Sequence, residues 1–146
     1  MNWLFWVLPC LAGMLMAVQG SINGQVSKVI GTLESNFLMH AVGLGIIFLL
    51  LFVIGVGEGD WSALGELPRY GYLSGLINVA IIYGVMVSIP RLGAAPATTA
   101  IIAGQVATAA LIDRLGLFGL EKTPISVWQM AGVVVLAIGV WLMLAK

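Results

Sequence analysis

Among the polar or titratable side chains within or beside long apolar stretches, six could carry chemistry. A polar group in apolar surroundings is costly unless it is paired, so such groups are candidates for function. Amide side chains can hold a small molecule through hydrogen bonds, and we predict four substrate-binding residues: Gln19, Asn23, Asn78 and Gln105. Two titratable residues are predicted to act in gating or ion coupling: His40 and Asp113.

Each candidate also has a structural interpretation. Gln19 and Asn23 are four residues apart and share a helix face, so they either line a cavity or bond a facing helix. His40 either titrates near neutral pH or is a packed or interfacial histidine. Asp113 either belongs to a gate or forms a charge pair with Arg114 at a helix end.

The composition argues against several functional classes. One histidine and one cysteine are too few for the usual metal-ligand clusters. The sequence has no Gly-rich phosphate loop and no credible nucleophile–base pair. We therefore expect neither an enzyme nor a cofactor. A net charge of zero argues against a nucleic-acid partner, which would require a clustered basic patch.

The balance of apolar and charged residues indicates a lipid-facing surface. Hydrophobic residues make up 61% of the 146 residues and charged residues 8%. A soluble domain carries about 25% charged residues, and so few charges cannot cover a water-facing surface. We therefore expect the lipid bilayer to surround this chain.

Five uncharged stretches separate the charged residues, and each is at least 21 residues long. About 20 apolar residues in a helix cross the hydrocarbon core. The runs are too continuous for barrel strands, whose side chains alternate between lipid and lumen. The sequence predicts an all-α membrane protein with one transmembrane domain over residues 1–146. Its helices are expected at about 3–28, 36–56, 69–89, 94–113 and 124–145.

Capping residues and prolines suggest where these helices begin. We expect the second helix to be capped by Ser35 or Asn36, and the fifth to open with Thr123 and Pro124. Pro68 can open the third helix, and Pro96 falls in the first turn of a fourth helix that begins near residue 94. The short connection over residues 89–93 predicts an antiparallel hairpin of helices three and four.

Small residues recur at four-residue spacing, in pairs such as Gly20/Gly24, Gly71/Gly75 and Ala100/Gly104. Such pairs let helix backbones approach closely in lipid. They indicate either packing within one chain or contact between two copies.

The basic residues leave the orientation undecided. Five spans place Arg69, Arg114 and Lys122 on one side of the membrane and Lys28, Arg91 and Lys146 on the other, so the basic residues divide three to three. Orientation follows an excess of Lys and Arg on the cytoplasmic side, and here there is none. Either the balance is accidental, or the chain inserts both ways and forms an antiparallel homodimer. Such a dimer would be an inverted repeat built from two chains.

Several short motifs resemble the YdcZ family of the drug/metabolite transporter superfamily. They are residues 19–23, residues 90–95, residues 103–105 leading to 112–119, and the glycines of the last helix. The resemblance extends over essentially the whole chain. It implies a five-helix, multi-pass bacterial inner (plasma) membrane protein that exports small molecules, with some dual-topology members and some fused pairs. It marks Gln19, Asn23, Gln105 and Asp113. The chain departs from the family pattern at Arg114, where histidine is common, and at Gln129, where a basic residue is common.

Together these observations predict a small-molecule exporter that works by alternating access as an antiparallel homodimer. An oppositely oriented paralogue could replace the second copy, and the substrate is not indicated. A passive dual-topology channel and a non-transporting accessory membrane subunit are the alternatives.

Overall fold

A computed structural model describes residues 3–145, except for the side chains of Leu4 and Phe5. Lys146, which enters the count of loop charges, lies outside that range. The chain is 86% helical, and the described residues contain no strand. Five helices are long and apolar enough to cross a membrane, which confirms the predicted fold class. The α-helices are α1 (Leu4–Ile30), α2 (Thr32–Phe48), α3 (Leu73–Leu92), α4 (Ala94–Leu115) and α5 (Val127–Leu144). The second span continues beyond α2 to Ile54, and the third begins before α3, at Arg69.

The chain divides into two compact units. The first covers residues 1–90 and contains α1, α2 and nearly all of α3. The second covers residues 91–146 and contains α4 and α5, which pack against each other. Basic side chains occupy the last turns of three helices: Lys28 in α1, Arg91 in α3 and Arg114 in α4. A cation there interacts favourably with the negative end of the helix dipole.

Two connections consist of a single glycine. Gly31 joins α1 to α2 with φ 96° and ψ 156°, and Gly93 joins α3 to α4 with φ 91° and ψ 158°. This region of backbone space is essentially restricted to glycine. Each glycine carbonyl accepts the first bond of the following helix, from the backbone N–H of Ser35 and of Ala97 respectively.

The single-glycine connections correct two predictions about helix ends. α2 begins at Thr32, so Ser35 and Asn36 are buried within it rather than capping it. α3 continues to Leu92 with Pro90 inside it, so residues 89–92 belong to the helix and Gly93 alone forms the connection. In both cases the glycine lets a helix end and the next begin without further loop residues. Pro96 lies in the first turn of α4, as predicted.

The fifth helix begins at Val127, and the prediction that Thr123 and Pro124 open it is wrong. Ser126 is its N-cap: the Ser126 hydroxyl accepts from the Gln129 N–H, and the Gln129 side chain accepts from the Ser126 N–H. This reciprocal capping box satisfies two backbone donors at once. The Thr123 N–H instead donates to the Asp113 carbonyl at 2.8 Å, so the preceding segment lies against the end of α4.

The connection between α2 and α3 is the long one. α2 runs into a π-helix (Leu49–Ile54), and a 3-10 helix (Trp61–Glu66) follows. The Trp61 ring stacks on Phe52 of the π-helix with centroids 5.8 Å apart. Asp60 caps the 3-10 helix, and hydrogen bonds from the hydroxyl and backbone N–H of Ser62 lower the pKa of its carboxyl group. A further 3-10 helix (Arg69–Tyr72), capped by Pro68, precedes α3.

Close approach of α1 to α3 accounts for one of the small-residue pairs. A Cβ atom placed on Gly20 would lie 2.8 Å from Ile89 Cδ1 and 2.9 Å from Val85 Cγ1, and one on Gly24 would lie 3.3 Å from the Pro90 ring. Gly20 and Gly24 therefore serve packing within the chain, since only a side chain without Cβ lets the helices approach this closely.

We expect Gly20→Ala to destabilise the protein by about 1 kcal/mol, because the added methyl group overpacks the α1–α3 contact. Gly13→Ala in the same helix is the matched control, since nothing lies within 4 Å of a Cβ there. That change should be neutral or slightly stabilising, because alanine is the better helix former. Equilibrium unfolding of both variants in mixed detergent micelles measures the difference. Equal stabilities would contradict the close contact.

Candidate functional site

A groove in the first unit brings three predicted site residues together. Gln19 of α1, His40 of α2 and Asn78 of α3 line it, and its volume is about 380 Å³. Small-molecule sites commonly have volumes of about 300–1,000 Å³. Most of the remaining wall is apolar, from Met39, Leu44, Ile47 and Ile82. The groove thus combines an apolar wall with a few hydrogen-bonding groups, which is the usual composition of a ligand site.

A chain of hydrogen bonds joins α3 to α2 at this groove. Asn78 Nδ2 lies 2.9 Å from His40 Nε2, and His40 Nδ1 lies 2.8 Å from the backbone carbonyl of Asn36. The Asn36 side chain completes the link by donating to the Val79 carbonyl at 2.9 Å. Three polar side chains, all within apolar helices, therefore tie the two helices together.

These partners fix the tautomer of His40. A backbone carbonyl only accepts, so Nδ1 carries a proton. The amide nitrogen of Asn78 donates, so Nε2 accepts and the imidazole is neutral. The Asn78 Oδ1 atom forms no hydrogen bond with the described residues, and neither does the Gln19 amide. These two groups are therefore available to form hydrogen bonds with a ligand in the groove.

The sequence did not identify Asn36 as part of this arrangement. It was expected as a helix cap, yet it is only 3% exposed and its Oδ1 has no partner among the described atoms. Its spacing of four residues from His40 was the available signal, because residues four apart share a helix face.

Asn23 is placed differently from Gln19. It is 5% exposed, and its Nδ2 has no hydrogen-bond partner among the described residues. Both side chains line a second, open groove along α1. Among the described residues, Asn23 forms no hydrogen bond to a facing helix, so the structure does not support the alternative that it links two helices.

We expect Asn23→Leu to leave stability unchanged or to raise it by about 1 kcal/mol, because it removes a buried donor that lacks a partner. Asn36→Leu is the matched control: the same substitution at a similarly buried site removes a bond to the Val79 carbonyl. It should destabilise by about 1–3 kcal/mol, since that carbonyl loses its side-chain donor. Unfolding in mixed micelles compares the two. A large loss in Asn23→Leu would indicate a structural role instead.

Two predicted residues lie in the second unit and are not part of the first groove. Gln105 is exposed on α4 and forms no hydrogen bond with the described residues. Asp113 lines a groove of about 310 Å³ between α4 and α5, together with Gln129 and small residues such as Ala109 and Gly132. Among the described side chains, Asp113 forms no ion pair with Arg114.

Other polar side chains in the spans bond their own helix. The Ser21 hydroxyl donates to the Ala17 carbonyl at 2.8 Å, and the Thr99 hydroxyl donates to the Ala95 carbonyl at the same distance. Short hydroxyl side chains commonly satisfy themselves in this way. They are therefore weaker candidates for ligand contact than the amides.

Five helices long and apolar enough to cross a membrane define a multi-pass membrane protein. The sequence matches the family model DMT_YdcZ, described as "Putative inner membrane exporter, YdcZ", over residues 4–142. This chain belongs to the YdcZ family, and it is a multi-pass inner membrane protein. The resemblance stated from its motifs is thereby confirmed. An exporter family is not an enzyme class. No curated protein and no solved structure matches the chain.

Proposed function

We propose that this protein exports a small molecule by alternating access, as an antiparallel homodimer with the cargo bound at the groove of Gln19, His40 and Asn78. The observation that carries the proposal is this groove, where the Asn78 Oδ1 and the Gln19 amide, neither of them bonded to a described residue, belong to apolar spanning helices. Unpaired polar groups at membrane depth are costly, and in transporters they mark the substrate path.

The antiparallel arrangement is supported by the even division of basic residues between the two sides. Two identical chains in opposite orientations form an inverted repeat, which many transporters build within one chain. Exchange of roles between the protomers then makes the inward-open and outward-open states equal in energy. No additional contact would then be needed to stabilise one of the two states relative to the other.

Two-sided cysteine labelling tests the orientation. Cys10 is exposed and is replaced by alanine, and a single cysteine is placed at Ala63 in the long connection. Ala63 is chosen over Ser62, because the Ser62 hydroxyl bonds Asp60. Intact cells are treated with an impermeant thiol reagent and labelled again after permeabilisation.

We expect about half of the Ala63→Cys protein to react from outside and the rest only after permeabilisation, because equal basic counts do not favour either orientation. A Ser35→Cys variant is the matched control, since Ser35 is 0% exposed and should stay unlabelled in both steps. Reaction entirely from one side would rule out dual topology, and an oppositely oriented partner protein would then have to complete the pair.

A further inference from the structure

The groove has a defined hydrogen-bonding polarity. Because His40 Nε2 accepts from Asn78 Nδ2, the Asn78 amide is held with its nitrogen toward His40 and its oxygen free. The oxygen and nitrogen of an amide point in different directions from the same carbon atom. With the nitrogen bonded to His40, the Oδ1 atom is free to accept a hydrogen bond from a ligand in the groove. The Gln19 amide, which can donate or accept, lies on the α1 side of the same groove.

We infer that this groove binds an uncharged ligand that donates a hydrogen bond to Asn78 Oδ1, and that His40 is the positioning residue that presents this oxygen. The inference rests on the proposed function, because it names the chemistry of the cargo at the same site. Every polar group described in the lining is a neutral amide or imidazole. A neutral donor on an apolar body matches this lining, whereas a charged ligand would be left without a counter-charge in a low-dielectric site.

Protonation of His40 changes this polarity. A charged imidazole donates from both nitrogens. Its Nε2–H would then face the Asn78 NH₂ group, and two donors cannot bond each other. The contact is restored when the amide rotates and its Oδ1 accepts from His40. That rotation withdraws the acceptor from the groove and leaves only N–H groups facing the ligand.

His40 is the titratable group on which this effect depends. It borders two grooves, and the described side chains around them on α1, α2 and α3 are apolar except for Gln19, Asn36 and Asn78. None of those three titrates in the accessible pH range. Histidine is the side chain whose charge ordinarily changes near neutral pH. A donor ligand therefore favours neutral His40, and by reciprocity protonation of His40 weakens the binding of that ligand.

Binding of fluorinated fragments to the purified full-length protein, followed by ¹⁹F NMR, tests the inference. The fragments form matched pairs, each an uncharged N–H or O–H donor and its methylated counterpart, with ammonium and carboxylate analogues added. The compounds 5-fluoroindole and 5-fluoro-1-methylindole are one such pair. The wild-type protein should bind the donors about tenfold more tightly than the methylated or charged forms, because only the donors bond the free oxygen.

Two variants separate positioning from simple stability. In Asn78→Leu the preference for donors should disappear. In His40→Gln the residue keeps an oxygen that can accept from Asn78, so binding should persist. Lowering the pH should weaken the binding of donors to the wild-type protein by about tenfold, and binding to His40→Gln should stay constant. Unfolding in mixed micelles confirms that both variants are folded.

Saturable donor-selective binding that is lost in Asn78→Leu and is pH-dependent only with His40 present supports the inference. Equal binding of donors and methylated forms, tighter binding of charged analogues, a flat wild-type pH profile, or no saturable binding would each overturn it. Since no membrane transport is measured, these outcomes are distinct from failure of the exporter proposal. That failure would appear as ligand binding without flux in liposomes.

Discussion

Replacement of Gly31 by alanine is expected to lower the free energy of unfolding by about 3 kcal/mol, the upper end of the cost of a backbone region disfavoured for other residues. Gly31 has φ 96° and ψ 156°, and an added Cβ would also collide with the Glu34 carboxylate. The chain can avoid this conformation only by lengthening the connection, and that would unwind the start of α2.

The expected damage extends beyond the turn. Asn36 lies close to the start of α2, so unwinding there would also weaken its bond to the Val79 carbonyl of α3. Gly45→Ala is the matched control, since this glycine lies within α2 and nothing is within 4 Å of a Cβ there. It should be neutral or stabilising by up to about 1 kcal/mol. Unfolding in mixed micelles compares the two, and equal stabilities would refute the conformation described for Gly31.

Gln19→Leu should lower transport by about tenfold or more, because it removes a hydrogen-bonding group from the groove while keeping a side chain of similar size. Gln25→Leu provides the matched control. Gln25 lies on the same helix, is exposed, and is not part of the groove that contains Gln19, His40 and Asn78. It should transport at the wild-type rate.

The assay does not need a known substrate. Liposomes containing the wild-type protein are loaded with a pooled metabolite extract, and compounds that leave are identified by mass spectrometry. Their rates are then measured for both variants, with saturation of the rate separating a carrier from a channel. Unchanged rates in Gln19→Leu would remove this residue from the cargo site. Absence of flux with any compound would instead favour an accessory subunit.

Hydropathy made the number and type of the helices predictable, because the bilayer demands long uncharged helices whatever their packing. The helix starts were less predictable. The sequence offered Ser35 and Asn36 as plausible caps, yet the permissive backbone of Gly31 starts α2 before either residue. Likewise, Thr123 and Pro124 are a plausible helix start in the sequence, but the reciprocal cap of Ser126 and Gln129 makes α5 begin at Val127.

The groove shows a similar limit. Gln19, His40 and Asn78 could each be selected as polar residues in apolar surroundings. Their grouping could not be predicted, since His40 and Asn78 are 38 residues apart and meet only because the fold brings α3 within hydrogen-bonding distance of α2. The π-helix at Leu49–Ile54 was also beyond sequence reasoning, because its run of apolar residues is equally compatible with an α-helix.

The single-glycine connection at Gly31 affects how much of the chain is accessible from the aqueous side of the membrane. In the first unit, the turn at Gly31 and the segment 55–72 follow opposite ends of one span, so in a bilayer they would lie at opposite surfaces. The single residue of the Gly31 turn offers an antibody or a protease far less chain than residues 55–72 do. In an antiparallel pair, each face of the membrane would then present the 55–72 segment of one copy and the Gly31 turn of the other. An epitope tag within residues 55–60 would therefore count orientations on intact cells without chemical labelling.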